Sequence, residues 1–136
     1  MSKTEQTLSI IKPDAVERNL QDEIKNEFKK NGFVIRKEKK IQISKQEAEK
    51  FYKVHETKAF YSDLCGYLAS GPIIVMELQK ENAVLDNRKL MGATNPKEAE
   101  EGTLRKKYGI SIDQNSVHGS DSIPNAKIEI DFFFKD

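Results

Sequence analysis

The chain has 136 residues, with 23 Lys+Arg against 22 Asp+Glu, two histidines and one cysteine. That length suits one domain, residues 1–136, with a real core, and a net charge of +1 argues against a general polyanion binder. The single Cys65 cannot make an internal disulfide, no run reaches the roughly 18 apolar residues of a membrane span, and MSKTEQTLSI lacks a signal-peptide core, so a soluble cytoplasmic protein is expected.

Thr7 to Lys12 (TLSIIK) predicts a strand that Pro13 stops. Leu20, Ile24 and Phe28 recur every four residues and predict a helix, with Gly32 as its C-terminal cap. Phe33 to Ile43 predicts a second strand, apolar at both ends and charged in the middle. Ser44-Lys-Gln-Glu47 has the form of a capping box, which starts a helix with Ala48, Phe51 and Tyr52 facing inward. Phe60, Leu64, Tyr67 and Leu68 mark another helix, ended by Ser70-Gly-Pro72. Ile73 to Leu78 predicts a buried strand, and Asn82 to Leu90 a helix. Gly92 to Gly109 reads as a long polar loop with few core residues, the kind of segment that carries function. The final segment fits both periods; Ser122 as N-cap and Pro124 in the first turn favour helix, with the last phenylalanines left open. Short connections and a charged second strand point to a mostly antiparallel sheet with helices on one face, the α+β class.

Three constellations carry chemistry. NSVHGSDS (115–122) sets His118 among small polar residues; alone it reads as a turn. A nucleophilic histidine needs one ring nitrogen free and the other fixed by a hydrogen bond, and Glu129 on the following helix is a candidate acceptor. Lys12 ends the first strand. Arg88 and Arg105 bracket the polar loop with Thr94 between them, a set suited to phosphate because guanidinium pairs with its oxygens in a bidentate way. The Walker and dinucleotide glycine motifs are both absent. His55 and Cys65 make a poor zinc pair, and Cys65 reads as a small hydrophobe. Glu38 within the basic run Arg36–Lys40 argues against nucleic-acid binding.

In order, TLSIIKPDAVERN, GPIIVMEL, ENAV, MGATNP, GTLR and NSVHGSDS closely resemble the nucleoside diphosphate kinases, from Thr7 to Phe134. The resemblance implies a ferredoxin-like α/β sandwich, a four-stranded antiparallel sheet covered by helices. It implies transfer of the γ-phosphate of a nucleoside triphosphate, mainly ATP, to any nucleoside or deoxynucleoside diphosphate by a ping-pong cycle through a phosphohistidine on Nδ1 of His118. Glu129 matches the orienting carboxylate and Ser120 the hydroxyl beside it. Lys12, Tyr52, Arg88, Thr94, Arg105 and Asn115 match contacts to phosphates and sugar, with Lys12 and Asn115 reaching the ribose 3′-OH. Phe60 matches the aromatic under the base, with Leu64 and Ile112 as apolar neighbours, a mode that tolerates every base. Mg²⁺ is implied through the nucleotide phosphates, with no protein metal ligands. A homo-oligomer is implied, hexamer or tetramer, Pro96 matching a proline that supports hexamers. Ala59 departs from the usual proline, and Asp22 from a common glycine. The end at Asp136 lacks the longer tail of eukaryotic members and suggests a bacterial type.

Overall fold

β1 (Thr4–Ile11) runs through the middle of a four-stranded antiparallel sheet in the computed structural model, which describes residues 4–53, 56–59, 61–110 and 115–134. It pairs with β3 (Ile73–Glu81) on one side and with β4 (Val117–Gly119) on the other. β2 (Val34–Ile41) pairs with the far side of β3, so the order is β2-β3-β1-β4. This is the four-stranded antiparallel α+β sandwich, ferredoxin-like in its order, that the resemblance implies.

Helices cover both faces, not the single face expected from the residues. The reason lies in the two central strands, whose apolar residues do not alternate. Ile74, Met76 and Leu78 of β3 join one core with Ile24 and Phe28 of α2 (Gln21–Lys30), Met91 of α5 (Ala83–Met91) and Leu104 of α6 (Leu104–Tyr108). Ile73 and Val75 join a second core with Ala48 of α3 (Lys45–Phe51), Cys65 and Leu68 of α4 (Tyr61–Leu68) and Phe133 of α7 (Ile123–Phe133). A strand buried on both sides reads as a continuous apolar run, and IIVMEL is one.

Local signals behave as their chemistry requires. Pro13 stands at the start of α1 (Pro13–Glu17), where a missing N–H goes unnoticed. α2 ends in a Schellman motif: Phe33 N–H donates to the Phe28 carbonyl and Gly32 N–H to Lys29, with Gly32 at φ 87°. The Ser44 capping box is complete in both directions. Edge strand β2 is largely exposed, charged, and irregular between Ile35 and Lys37, features that protect an edge from further pairing.

One expectation needs correction, and one point left open is decided. The 92–109 stretch is not a coreless loop: a 3-10 turn at Pro96–Glu98 and α6 lie within it, and Pro96, Ala99 and Leu104 are buried. Polar residues dominate its composition because five-residue helices bury few side chains. The final phenylalanines are helical through Phe133.

Candidate active site

His118 belongs to a strand, where its residues alone suggested a turn. β4 is three residues long, too short to leave a periodic signal, and exists because β1 offers it a partner. Register then aims the imidazole. His118 lies opposite Ile10, and Ile10 lies opposite Val75, so all three point to the second core. Val117 and Gly119 point the other way, under α5. A β-carbon on Gly119 would come 2.4 Å from Asn87 Nδ2 and 2.7 Å from Met91 Cε, so with any other residue these buried side-chain ends or β4 itself would have to shift.

α7 brings Glu129 to the ring: its Oε1 lies 3.0 Å from His118 Nε2. The Ser120 hydroxyl donates to the same oxygen at 2.8 Å, while Leu8 N–H donates to Ser120 Oγ at 3.3 Å. A carboxylate only accepts, so Nε2 carries the proton in the neutral ring and Nδ1 keeps its lone pair. Phe51 meets the imidazole edge-on at 5.2 Å and Tyr52 at 6.1 Å. These aromatic edges limit the ring's rotation. Burial, then the Glu129 charge, pushes the Tyr52 hydroxyl well above its ordinary pKa.

The cationic residues gather nearby. Lys12, buried at the end of β1, donates from Nζ to Asn115 Oδ1 at 2.9 Å. Asn115 Nδ2 donates to the Thr94 carbonyl at 3.2 Å. Arg105 donates to the carbonyls of Gly92 and Val117, each at 3.0 Å, tying α6 to the residue before His118. Burial lowers its guanidinium to about 10. Arg88, in the last turn of α5, reaches the Asp121 carbonyl at 3.5 Å. The Asn125 amide bond, then Arg88 and His118, hold the Asp121 carboxyl below its usual range against an opposing effect of burial. A cavity of about 750 Å³ is lined by Arg88, Thr94 and Arg105, together with Glu98 and Glu100. His118, Ser120, Glu129 and Tyr52 thus form one group, and Lys12, Asn115, Thr94 and Arg105 a second, joined through β4.

Leu64 packs half-buried into the second core. Phe60 and Ile112, assigned to the base, lie outside the described residues, as does His55. The sequence did not single out Asp14, Arg18, Tyr67 and Ser116, which are hydrogen-bonded together beside Lys12 and Asn115. Asp14, Arg18 and Ser116 lie inside the signature stretches TLSIIKPDAVERN and NSVHGSDS, but no spacing rule links them to one another or to Tyr67.

Comparison with known proteins bears on the family and the fold. A family profile described as "Nucleoside diphosphate kinase" matches residues 5–136. A nucleoside diphosphate kinase of Campylobacter jejuni is 57% identical over 131 residues, covering 96% of each chain. That of Wolinella succinogenes is 55% identical over 130 residues, covering 96% of this chain and 95% of its own. Among solved structures, the Aquifex aeolicus nucleoside diphosphate kinase superposes with a TM-score of 0.95 at 33% identity, covering 97% of this chain and 96% of that one. The Encephalitozoon cuniculi enzyme superposes with 0.94 at 35%, covering 97% and 90%.

Proposed function

This chain belongs to the nucleoside diphosphate kinase family and moves phosphate from a nucleoside triphosphate to a nucleoside diphosphate, and from that premise we propose that the phosphate passes through Nδ1 of His118. The Nδ1 lone pair attacks the γ-phosphorus. The bond from that phosphorus to the β-phosphate oxygen breaks, and the diphosphate leaves. A second diphosphate then attacks the phosphorus with a terminal oxygen, and the N–P bond breaks. The Glu129 bond to Nε2 supports this reading most directly, because it leaves Nδ1 free and stabilises the positive charge that develops on the ring. Ser120 steadies Glu129.

Phosphoryl transfer asks the protein chiefly for positioning and charge compensation. Lys12, Arg88 and Arg105 supply charge in this reading, and Tyr52, Thr94 and Asn115 supply hydrogen bonds to phosphate and ribose. Phe60, Leu64 and Ile112 hold the base by apolar contact, so purines and pyrimidines both serve. These donors suit phosphate oxygens, which are also the ligands a hard divalent cation takes. Mg²⁺ would therefore arrive on the nucleotide phosphates, where it neutralises their charge. No described helix is long and apolar enough to cross a membrane. The buried free thiol of Cys65 suits a reducing cytoplasm.

The test is intact-protein mass spectrometry at neutral to alkaline pH after brief exposure to ATP and Mg²⁺. One acid-labile phosphate is expected, discharged equally by GDP and CDP and missing from His118→Ala. Full exchange activity in His118→Ala would sink the reading. We also assign a homo-oligomeric state, hexamer or tetramer, supported by exposed Ile123 and Ile128 on α7. Analytical ultracentrifugation should show a closed assembly; a monomer at micromolar concentration would refute it.

A further inference from the structure

Ser116 joins the two halves of the site, and its backbone is left-handed, with φ 73°. Across it, Val117 N–H donates to the Asn115 carbonyl at 2.9 Å. A bond from i to i+2 around a residue of positive φ is a γ-turn of the rare, strained kind. Serine has no conformational reason to adopt it. Such strain persists only where the surroundings over-determine it, and it concentrates at functional sites.

Asp14 supplies that constraint. Its carboxyl is buried, and Oδ2 accepts from the Arg18 guanidinium at 3.0 Å and lies 2.7 Å from Ser116 Oγ, closer than the Tyr108 carbonyl at 3.0 Å that the same single hydroxyl proton could serve. The Tyr67 hydroxyl donates to Oδ1 and itself accepts the Asp14 N–H at 2.9 Å. Arg18 reaches on to Ser116 Oγ at 3.2 Å and to the Tyr108 carbonyl. One carboxylate thereby links α1, α4 and the end of α6 to a single turn. That turn in turn holds the phosphate-facing residues. Lys12 N–H donates to the Ser116 carbonyl at 2.8 Å, and Lys12 Nζ bonds the side chain of Asn115, the residue before Ser116. Val117, the residue after it, opens the strand that carries His118.

We propose that Asp14 is a positioning residue for phosphate transfer. Through the Ser116 hydroxyl its carboxylate holds the left-handed turn that sets Lys12, Asn115 and strand β4 relative to one another. This rests on the reading of Lys12, Asn115 and His118 given above. Small displacements matter here, since a shift of about 1 Å in a positioned group can cost roughly 10²-fold in rate.

Asp14→Asn, Ser116→Ala and Ser116→Gly test it, with steady-state transfer from ATP to GDP, quenched-flow labelling of His118 and thermal unfolding measured on each. Asp14→Asn is expected to lower turnover roughly 10- to 10²-fold while the protein still melts above the assay temperature. Both Ser116 variants lose the hydroxyl, but glycine accepts positive φ freely, so Ser116→Gly should retain more turnover than Ser116→Ala. The effect of Asp14→Asn should also shrink in the Ser116→Gly background. Wild-type turnover in Asp14→Asn overturns the proposal, and so does equal turnover in the Ala and Gly variants. If Asp14→Asn does not fold, the Ser116 pair decides alone. Phosphate transfer by the wild type without label on His118 would refute the phosphohistidine reading, while the variants' turnover would still judge Asp14.

Discussion

A single carboxylate oxygen organises the proposed nucleophile: Glu129 Oε1 accepts from the Ser120 hydroxyl and faces His118 Nε2. What matters is that this group is acceptor-only. Glu129→Gln keeps the shape but offers an amide whose N–H₂ group can face the ring, which would put the imidazole proton on Nδ1. Turnover is expected to fall roughly 10²- to 10⁴-fold, by analogy with other tautomer-fixing carboxylates. Stopped-flow transfer assays and ¹⁵N spectra of the ring would report rate and tautomer together. An unchanged tautomer with an unchanged rate would remove Glu129 from the mechanism. His118 and Ser120 were readable from NSVHGSDS as candidates standing close together in the chain. The pairing with Glu129 was readable only as a candidate, because the two residues stand eleven positions apart across loop and helix and no spacing rule spans them.

Elements succeeded or failed according to how local their cause is. α3 begins at Ser44 because the cap bonds lie within four residues, and α2 ends at Asn31 and Gly32 for the same reason. β4 has no such local cause. Its three residues are held by β1 on one side and by α5 above, and Gly119 is the point of closest approach. Gly119→Ala would drive a methyl into Asn87 and Met91. The strain should cost about 1–3 kcal/mol of stability and reduce turnover further by displacing His118. Denaturant melts combined with activity per folded molecule would measure both. Wild-type stability in this variant would mean that α5 yields easily and that β4 is not fixed from above.

At the scale of the whole molecule, burial of tyrosine hydroxyls ties stability to alkaline pH. Burial, then the Glu129 charge, raises Tyr52, and burial, then the Asp14 bond, raises Tyr67, each above the ordinary value of 10.0. Just above that pH the unfolded chain sheds these protons and the folded chain keeps them. Their contribution is therefore complete below pH 10 and is lost as the pH climbs toward the raised folded values. Arg105 acts in the opposite sense, since burial lowers it to about 10. It is one group against four raised tyrosines, Tyr61 and Tyr108 being raised by burial as well, and guanidinium resists deprotonation strongly. Denaturation midpoints should fall above pH 10, with tyrosinate absorbance appearing as the chain unfolds. Ionisation of all four tyrosines without loss of stability would contradict this.

The class was legible from short-range pattern, the apolar runs of β1 and β3 and the helix caps, and the family from its resemblance in stretches such as the Lys12-Pro13 junction and HGSD. The second layer of helices was not, because a strand buried on both faces hides which neighbour covers which side. Nor was the direction of His118, which depends on Ile10 meeting it across two strands far apart in the chain. A slip of one residue would turn the imidazole under α5 and away from Glu129. The left-handed turn at Ser116 is of the same kind. Asp14, Arg18 and Tyr67 impose it from other elements, and only the folded arrangement brings them to it.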